Sequence, residues 1–145
     1  MNRLNRVCAT VALVAGMVGV SVESRAADLE VVINGLRDHG GTVRAFIWKG
    51  EEDFRDYAKA THSTRFNSRP GRAVLAFSGL EPGQYAIMVY HDEDNDQELD
   101  RFLGMIPTEG WALSNNPKIT GRPAFEDAAV TIEDPGAQIV VRMVY

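Results

Sequence analysis

From residue 27 onward, apolar and polar residues alternate with a period of two, the pattern of β-strands that bury one face. Segments rich in Gly, Pro, Asn and Asp interrupt the alternation. The pattern predicts six or seven strands, at residues 29–33, 42–48, 72–77, 85–90, 125–132 and 138–145, with an irregular edge strand at 61–69. We therefore expect an all-β fold, a single antiparallel β-sandwich over residues 27–145.

The segments between these strands carry typical turn residues. A Gly-rich stretch at 38–41 separates the first two strands, and Pro82-Gly83 separates the strands at 72–77 and 85–90. Proline fixes φ at the second position of a type II turn, and glycine tolerates the positive φ at the third. We expect both segments to close β-hairpins.

Residues 51–60 break the alternation. Phe54, Tyr57 and Ala58 share one helical face, acidic residues come first and Lys59 comes near the end. This charge order suits the helix dipole, so the segment predicts one short helix or helical turn.

The first 26 residues have the features of a secretory signal peptide. Arg3 and Arg6 precede an uncharged apolar run at 7–20, and Ser24-Arg25-Ala26 offers small residues at the two positions that signal peptidase recognises. The run is shorter than the roughly 20 residues of a membrane span. We expect export by the general secretory route to the periplasm or the medium, with no membrane span in the mature chain.

Removal of this leader changes the charge balance. The whole chain has 15 basic and 20 acidic residues; residues 1–26 hold three of the bases and one of the acids, which leaves 12 against 19 and a net charge of −7. This charge argues against nucleic acid or an anionic membrane as partner. The only cysteine, Cys8, also lies in the leader, so the remaining domain has no disulfide.

The region between Tyr90 and Phe125 lacks sustained periodicity, which in a compact domain is typical of a functional or well-tethered loop. It begins with six acids in nine residues. Alternate acidic residues aim several oxygens at one hard cation, and their spacing matches the first part of a calcium loop. The predicted Ca²⁺ ligands are Asp92, Asp94, Asp96, Glu98 and Asp100.

This acidic loop, residues 91–100, is not an EF-hand. Gln97 stands at the sixth position, where such a loop has glycine, Leu103 stands at the twelfth instead of glutamate, and the preceding segment is a strand. Glu109 or Asp127 could complete a different site. The alternative is an Asp-rich turn held by hydrogen bonds from its own backbone. The sequence leaves both interpretations open.

His91 beside Asp92 and Glu93 allows an enzyme hypothesis, a metal-dependent hydrolase centred on the imidazole. The other two histidines, His39 and His62, have no ligand spacing relative to it, and no nucleophile motif accompanies it. The alternative is that His91 ends its strand and hydrogen bonds within the acidic loop. We expect a protein that is not an enzyme.

A third hypothesis is a metal-independent carbohydrate- or protein-binding module that uses the Trp111 loop, with His91, Glu109 and Asn115 as further ligand contacts. Tryptophan on a loop gives a large contact area at low cost in conformational entropy. The alternative is that Trp111 closes the end of the core, as Met105 and Ile106 are also expected to do. An exposed Trp111 would favour the binding module, and a buried Trp111 would favour a role in closing the core.

Several motifs together resemble one family. These are 80–86, 91–96 with Leu99-Asp100, 104–110, 114–116 and 123–128, in order and spacing. They are similar to the exported bacterial proteins of domain-of-unknown-function family 2141, across nearly the whole mature chain, and the hairpin at 79–85 resembles transthyretin-like and carboxypeptidase-regulatory-like β-sandwiches. The resemblance implies a secreted β-domain and no known activity. In that family, the acidic loop commonly has glycine where this chain has Asn95 and Gln97.

These observations favour an exported, non-catalytic binding or structural β-domain with a Ca²⁺-stabilised acidic loop. Its partner would be a glycan or a protein of the cell envelope or the medium.

Overall fold

A computed structural model describes residues 26–145 and shows a mostly β chain. The predicted leader lies outside the described residues except for Ala26. The strands are β1 (Ala27–Leu36), β2 (Thr42–Lys49), β3 (His62–Asn67), β4 (Gly71–Leu80), β5 (Gly83–Asp92), β6 (Arg101–Phe102), β7 (Ile106–Pro107), β8 (Gly110–Leu113), β9 (Val130–Ile132) and β10 (Gly136–Arg142). The additional strands relative to the six or seven expected are short ones within the region that lacks periodicity. A 3₁₀ helix at Tyr57–Lys59 and a short α-helix, α1 (Phe125–Ala128), complete the elements.

The first sheet has three strands in the order β10-β1-β4. The central strand β1 pairs antiparallel with β4, where Val31 faces Leu75, and parallel with β10, where Val31 faces Ile139. The expectation of a purely antiparallel fold is therefore wrong at β10. This strand arrives from the other sheet and not through a hairpin, so no tight turn forces it to run against its neighbour.

The second sheet has the order β3-β2-β5-β8, and β9 pairs with the first residues of β5. All its pairs are antiparallel. β3 forms an edge, as expected for the irregular segment at 61–69. A separate two-stranded hairpin joins β6 and β7.

The two expected hairpins are wrong. β1 and β2 belong to different sheets, and so do β4 and β5. The Gly-rich segment at 38–41 and the Pro82-Gly83 turn therefore reverse the chain while carrying it from one sheet to the other. The β9–β10 connection also passes between sheets.

The main hydrophobic core lies between the two sheets. Side chains that alternate along β1, β2 and β5 meet there, and β10 adds Val141. Its fully buried members include Leu29, Val31, Ile33, Val43, Ala45, Ile47, Tyr85, Ile87 and Val89. The period-two pattern predicted this burial.

The opposite face of β2 and β5 is buried as well. Phe46, Trp48, Met88 and Tyr90 form a second cluster with Leu99, Leu113 and the helix α1. β5 is thus buried on both faces from Tyr85 to Asp92, which explains why its sequence is almost continuously apolar.

Two local predictions have different outcomes. The helical turn expected at 51–60 is confirmed as the Tyr57–Lys59 3₁₀ helix, capped by the Asp56 side chain, which accepts from Ala58 N. The strand expected at 125–132 is wrong over its first half, because Phe125–Ala128 is helical and buries Phe125 and Ala128, three residues apart. Within residues 26–145, no helix has the length and apolar character needed to cross a membrane.

Candidate functional site

The acidic loop begins inside the fold, at the end of β5. Asp92 is only 1% exposed. Its Oδ2 accepts a hydrogen bond from Gln97 N at 3.2 Å and lies 3.3 Å from Arg44 Nε. Its Oδ1 is buried and has no hydrogen-bond partner among the described residues. A buried carboxylate oxygen without a donor is costly, so this atom is a candidate ligand for a cation.

The next two aspartates hold tight turns. Asp94 Oδ1 accepts from Asp96 N at 3.1 Å, and Asp96 Oδ1 accepts from Glu98 N at 2.8 Å. One carboxylate oxygen from each of Asp92, Asp94 and Asp96 lies within 4.8 Å of the others. The turn hydrogen bonds and the close group of oxygens therefore occur together.

Only three of the five predicted ligands come together in this group. Glu98 and Asp100 are exposed and do not join it. Asp100 instead contributes its backbone, since Asp100 N donates to Glu109 Oε2 at 3.2 Å. Spacing in the sequence suggested all five, but the chain turns away after Asp96.

Glu109 is an internal support of the loop and not an exposed contact. It is 6% exposed; its Oε1 accepts from Glu93 N at 2.7 Å and its Oε2 from Asp100 N. One carboxylate thus ties both ends of the loop together. Burial raises the pKa of Glu109 above its ordinary value, and the two backbone donors only partly offset this.

His91 is fully buried and uses both ring nitrogens. Nε2 donates to the carbonyl oxygen of Gly40 at 2.6 Å, and Nδ1 is paired with the Tyr145 hydroxyl at 2.9 Å. The same hydroxyl accepts from Arg37 N at 3.1 Å. The expected hydrogen bonds from His91 within the acidic loop are not formed, because the side chain points to the turn after β1 and to the last residue.

The sequence did not reveal that His39 lies beside this group. Its ring stacks against His91, with centroids 6.3 Å apart, and its Nδ1 lies 2.8 Å from Glu93 Oε2. The two histidines are distant in sequence and carry no spacing signal. Only the packing of the β1–β2 connection against the acidic loop brings them together.

A broad cleft of about 1080 Å³ lies beside Trp111. Trp111 is partly exposed and lines this cleft together with residues from the β6–β7 hairpin. Met105 and Ile106 are 69% and 61% exposed, so the expectation that they fill the core is wrong. A two-stranded hairpin is too narrow to bury both faces, and its apolar side chains face the cleft opening and solvent instead.

Three arginines, Arg55, Arg101 and Arg122, also line the cleft. Nothing in the sequence groups them, because they lie far apart along the chain, in the turn before the 3₁₀ helix, in β6 and in the loop before α1. Asn115, predicted as a ligand contact, instead donates from Nδ2 to Ala129 O at 2.7 Å and ties β8 to the segment after α1.

A family model described as "Uncharacterized protein conserved in bacteria (DUF2141)" matches residues 31–140. The chain belongs to this family. The resemblance found in the sequence is thereby confirmed. Neither a curated protein nor a solved structure matches the chain.

Asn95 and Gln97 of the acidic loop both have positive φ, 63° and 76°. Thr42 Oγ1 donates to Asn95 Oδ1 at 2.6 Å, and Arg44 Nη2 donates to Gln97 Oε1 at 3.1 Å. Side-chain hydrogen bonds to β2 thus accompany a backbone conformation that glycine adopts without strain.

Proposed function

We propose that this DUF2141 protein is an exported, non-catalytic binding domain whose ligand site is the cleft beside Trp111. The observation that carries the proposal is the cleft itself. Its volume of about 1080 Å³ is slightly above the roughly 300–1,000 Å³ of typical ligand sites, and its lining is mostly apolar with a few charged groups. Trp111 is only partly exposed, so it can contact a ligand while it packs against the second cluster.

The proposal includes a more specific fold, a transthyretin-like β-sandwich. The core shared by both sheets supports a β-sandwich of the transthyretin-like type, with the acidic loop and the cleft on the second sheet. A crystal structure in which β1 and β2 pair in one sheet would contradict the sandwich.

Tryptophan fluorescence tests the binding site. The chain has two tryptophans, and Trp48 is buried in the second core, so a Trp48→Phe variant leaves Trp111 as the only reporter. We expect its emission to shift when glycans or apolar probes are titrated, and the shift identifies the class of ligand. If no probe changes the emission while the variant stays folded, the cleft proposal is wrong.

We also propose that the acidic loop is stabilised by Ca²⁺. The buried Oδ1 of Asp92 and the group of carboxylate oxygens from Asp92, Asp94 and Asp96 support this proposal, and backbone carbonyls and water would supply the remaining oxygens. The guanidinium of Arg44, beside Asp92, opposes it. The proposed site contains three carboxylates, instead of the five that the spacing suggested.

Thermal unfolding in EDTA, in Ca²⁺ and in Mg²⁺ tests the ion site. A ligand that binds only the folded state adds about 2.7 kcal/mol at a hundred times its Kd, which raises Tm by several degrees. Asp96→Asn should abolish the rise. Glu98→Gln removes the same charge outside the group and should retain it. Equal melting temperatures in EDTA and in Ca²⁺ would refute the ion site.

The hydrolase alternative receives less support from the geometry. His91 would have to give up the bond to Gly40 or the bond to Tyr145 before it could bind a metal or take a proton. Hydrolytic activity that is present in the wild type and lost in His91→Gln would restore this alternative.

Export is proposed from the leader. Cell fractionation and mass spectrometry of the recovered protein test it, with cleavage after Ala26 as the expected result and an intact leader on cytoplasmic protein as the contradicting one.

A further inference from the structure

We propose that the cleft binds a single-chain anionic amphiphile, a small molecule with an apolar chain that ends in a carboxylate or a similar anion. This inference rests on the proposed function of the cleft and names the chemistry of its ligand. Three features of the cleft support it: the charge of its lining, the hydrogen-bonding state of one arginine and the apolar surface next to it.

The charged side chains of the cleft lining are all positive although the chain is acidic. The lining includes Arg55, Arg101 and Arg122 and contains no aspartate or glutamate. Within the described part of the chain, none of the three forms an ion pair. Three like charges in one concave surface repel each other, and an anion bound between them relieves that repulsion.

Arg55 is the most informative of the three. Its Nε and Nη1 atoms are buried and have no hydrogen-bond partner among residues 26–145. Arg55 also has a φ of 73°, a left-handed conformation that is unusual for a long side chain. Desolvation lowers the pKa of Arg55, and the charges of Arg122 and Arg101 lower it further.

Buried guanidinium donors without acceptors are costly, so such groups normally face a carboxylate or a phosphate. Arg55 thus combines a strained backbone with guanidinium donors that lack acceptors. An anion in the cleft would supply the charged acceptor that the Arg55 guanidinium lacks.

The remaining lining suits an apolar chain. Met88, Leu99, Trp111 and Ile119 lie along the cleft, and Met105 and Ile106 of the β6–β7 hairpin continue this surface to the outside. Phe102 and Leu103 of the same hairpin are 60% and 75% exposed. Exposed apolar residues grouped beside a cleft are typical of a site that covers an apolar ligand.

The charge and the apolar surface of the cleft favour an anionic amphiphile over other classes of ligand. A neutral glycan would leave the Arg55 donors without a charged acceptor. A nucleic acid would be repelled by a chain whose acidic residues outnumber its basic ones, 20 to 15.

Calorimetric titration with dodecanoate tests the inference, using protein purified after expression of the full chain. Dodecyltrimethylammonium has the same chain length and the opposite charge, dodecyl maltoside has a neutral head, and acetate has the head without the chain. All are used below their micellar concentrations. We expect dodecanoate to bind at least about tenfold more tightly than the other three.

Variants connect the binding to the arginines. Arg55→Gln and Arg122→Gln should each weaken dodecanoate binding about tenfold or more, because each removes a charged donor. Arg55→Lys should retain part of the affinity. Arg65→Gln, an exposed arginine on β3 outside the cleft, should bind as wild type does. Circular dichroism melts establish that each variant is folded, and Arg122 lies on an exposed loop where substitution leaves the core intact.

The outcomes separate the two proposals. If no chain of any charge binds, the amphiphile inference is wrong, and the proposed function fails as well only if the Trp111 fluorescence titrations with glycans and apolar probes are also negative. If the neutral or cationic chain binds as tightly as dodecanoate, or if the arginine variants bind dodecanoate normally, the cleft binds apolar ligands but the anionic inference is wrong. Binding to phosphatidylglycerol vesicles without binding to monomeric dodecanoate would also overturn it, in favour of a membrane surface.

Discussion

Removing the carboxylate of Glu109 should loosen the acidic loop and lower the stability of the whole domain. Glu109 is nearly buried and accepts backbone hydrogen bonds from Glu93 and Asp100, at the two ends of the loop. In Glu109→Ala, both N–H groups lose their acceptor. Among residues 26–145, no other side chain accepts from these two N–H groups.

The magnitude follows from the two bonds. A hydrogen bond to a charged group contributes about 1.5–3 kcal/mol, so the two together contribute about 3–6 kcal/mol. Deleting a buried charge also removes a desolvation cost, which returns part of this amount. We expect Glu109→Ala to lower the free energy of unfolding by about 2–4 kcal/mol, a large fraction of the 5–15 kcal/mol that is typical of domains.

Urea unfolding in EDTA, followed by tryptophan fluorescence, measures the effect without a contribution from bound cations. At a slope of about 1–3 kcal/mol per molar urea, the midpoint should fall by on the order of 1 M. Glu109→Gln keeps one acceptor oxygen and should fall between Glu109→Ala and wild type.

The matched control is Glu98→Ala, which removes an exposed glutamate of the same loop. Its effect should stay within about 0.5 kcal/mol. If Glu109→Ala is as stable as Glu98→Ala, Glu109 does not hold the loop and the reasoning is refuted.

Three further predictions concern the packing around the loop and the tyrosines. Gly41→Ala should destabilise the domain by more than about 2 kcal/mol in urea unfolding, because a Cβ there would approach the Cα of Glu93 to 2.7 Å at a φ of +71°; wild-type stability would contradict this packing. Tyr145→Phe should cost about 1–2 kcal/mol in the same assay, since it removes the hydroxyl that pairs with His91 Nδ1, and an unchanged midpoint would mean that the pair contributes nothing. Burial raises the pKa of Tyr85 above 10.0, so the stability that its neutral form contributes is complete below pH 10 and is lost as the pH rises through the raised pKa. Tyr85→Phe should therefore be less stable than wild type at pH 8, with a gap that narrows at pH 11; a constant gap would contradict the shift.

The strands were predictable from the sequence, but their partners were not. Pro82-Gly83 has the residues of a tight turn, and the chain does reverse there. Turn residues specify a local change of direction, however, and do not specify whether the next strand pairs with the previous one or crosses to the facing sheet. That choice depends on the burial of both faces of β5, which only the assembled fold provides.

The helix α1 illustrates a second limit. Phe125 and Ala128 are buried three residues apart, a helical spacing, but the apolar residues that follow extend into β9 and make the whole segment resemble one strand. In a segment this short, periodicity cannot separate a single helical turn from a strand.

The two candidate sites also differ in how far the sequence predicted them. The aspartates of the acidic loop are neighbours in sequence, so their spacing predicted the group of Asp92, Asp94 and Asp96. Arg55, Arg101 and Arg122 meet only through tertiary structure. Each one alone resembles an ordinary surface arginine, and neither composition nor spacing connects them.

The parallel pairing of β1 with β10 has a consequence for the order of events during synthesis. Val31 faces Ile139, and Val141 is fully buried, so the central strand of the first sheet lacks one neighbour until more than a hundred further residues have been made. Contacts this distant in sequence form late and slowly. While the ribosome is still making the chain, the three-stranded sheet therefore cannot close, and the export proposed above would act on an unfolded polypeptide.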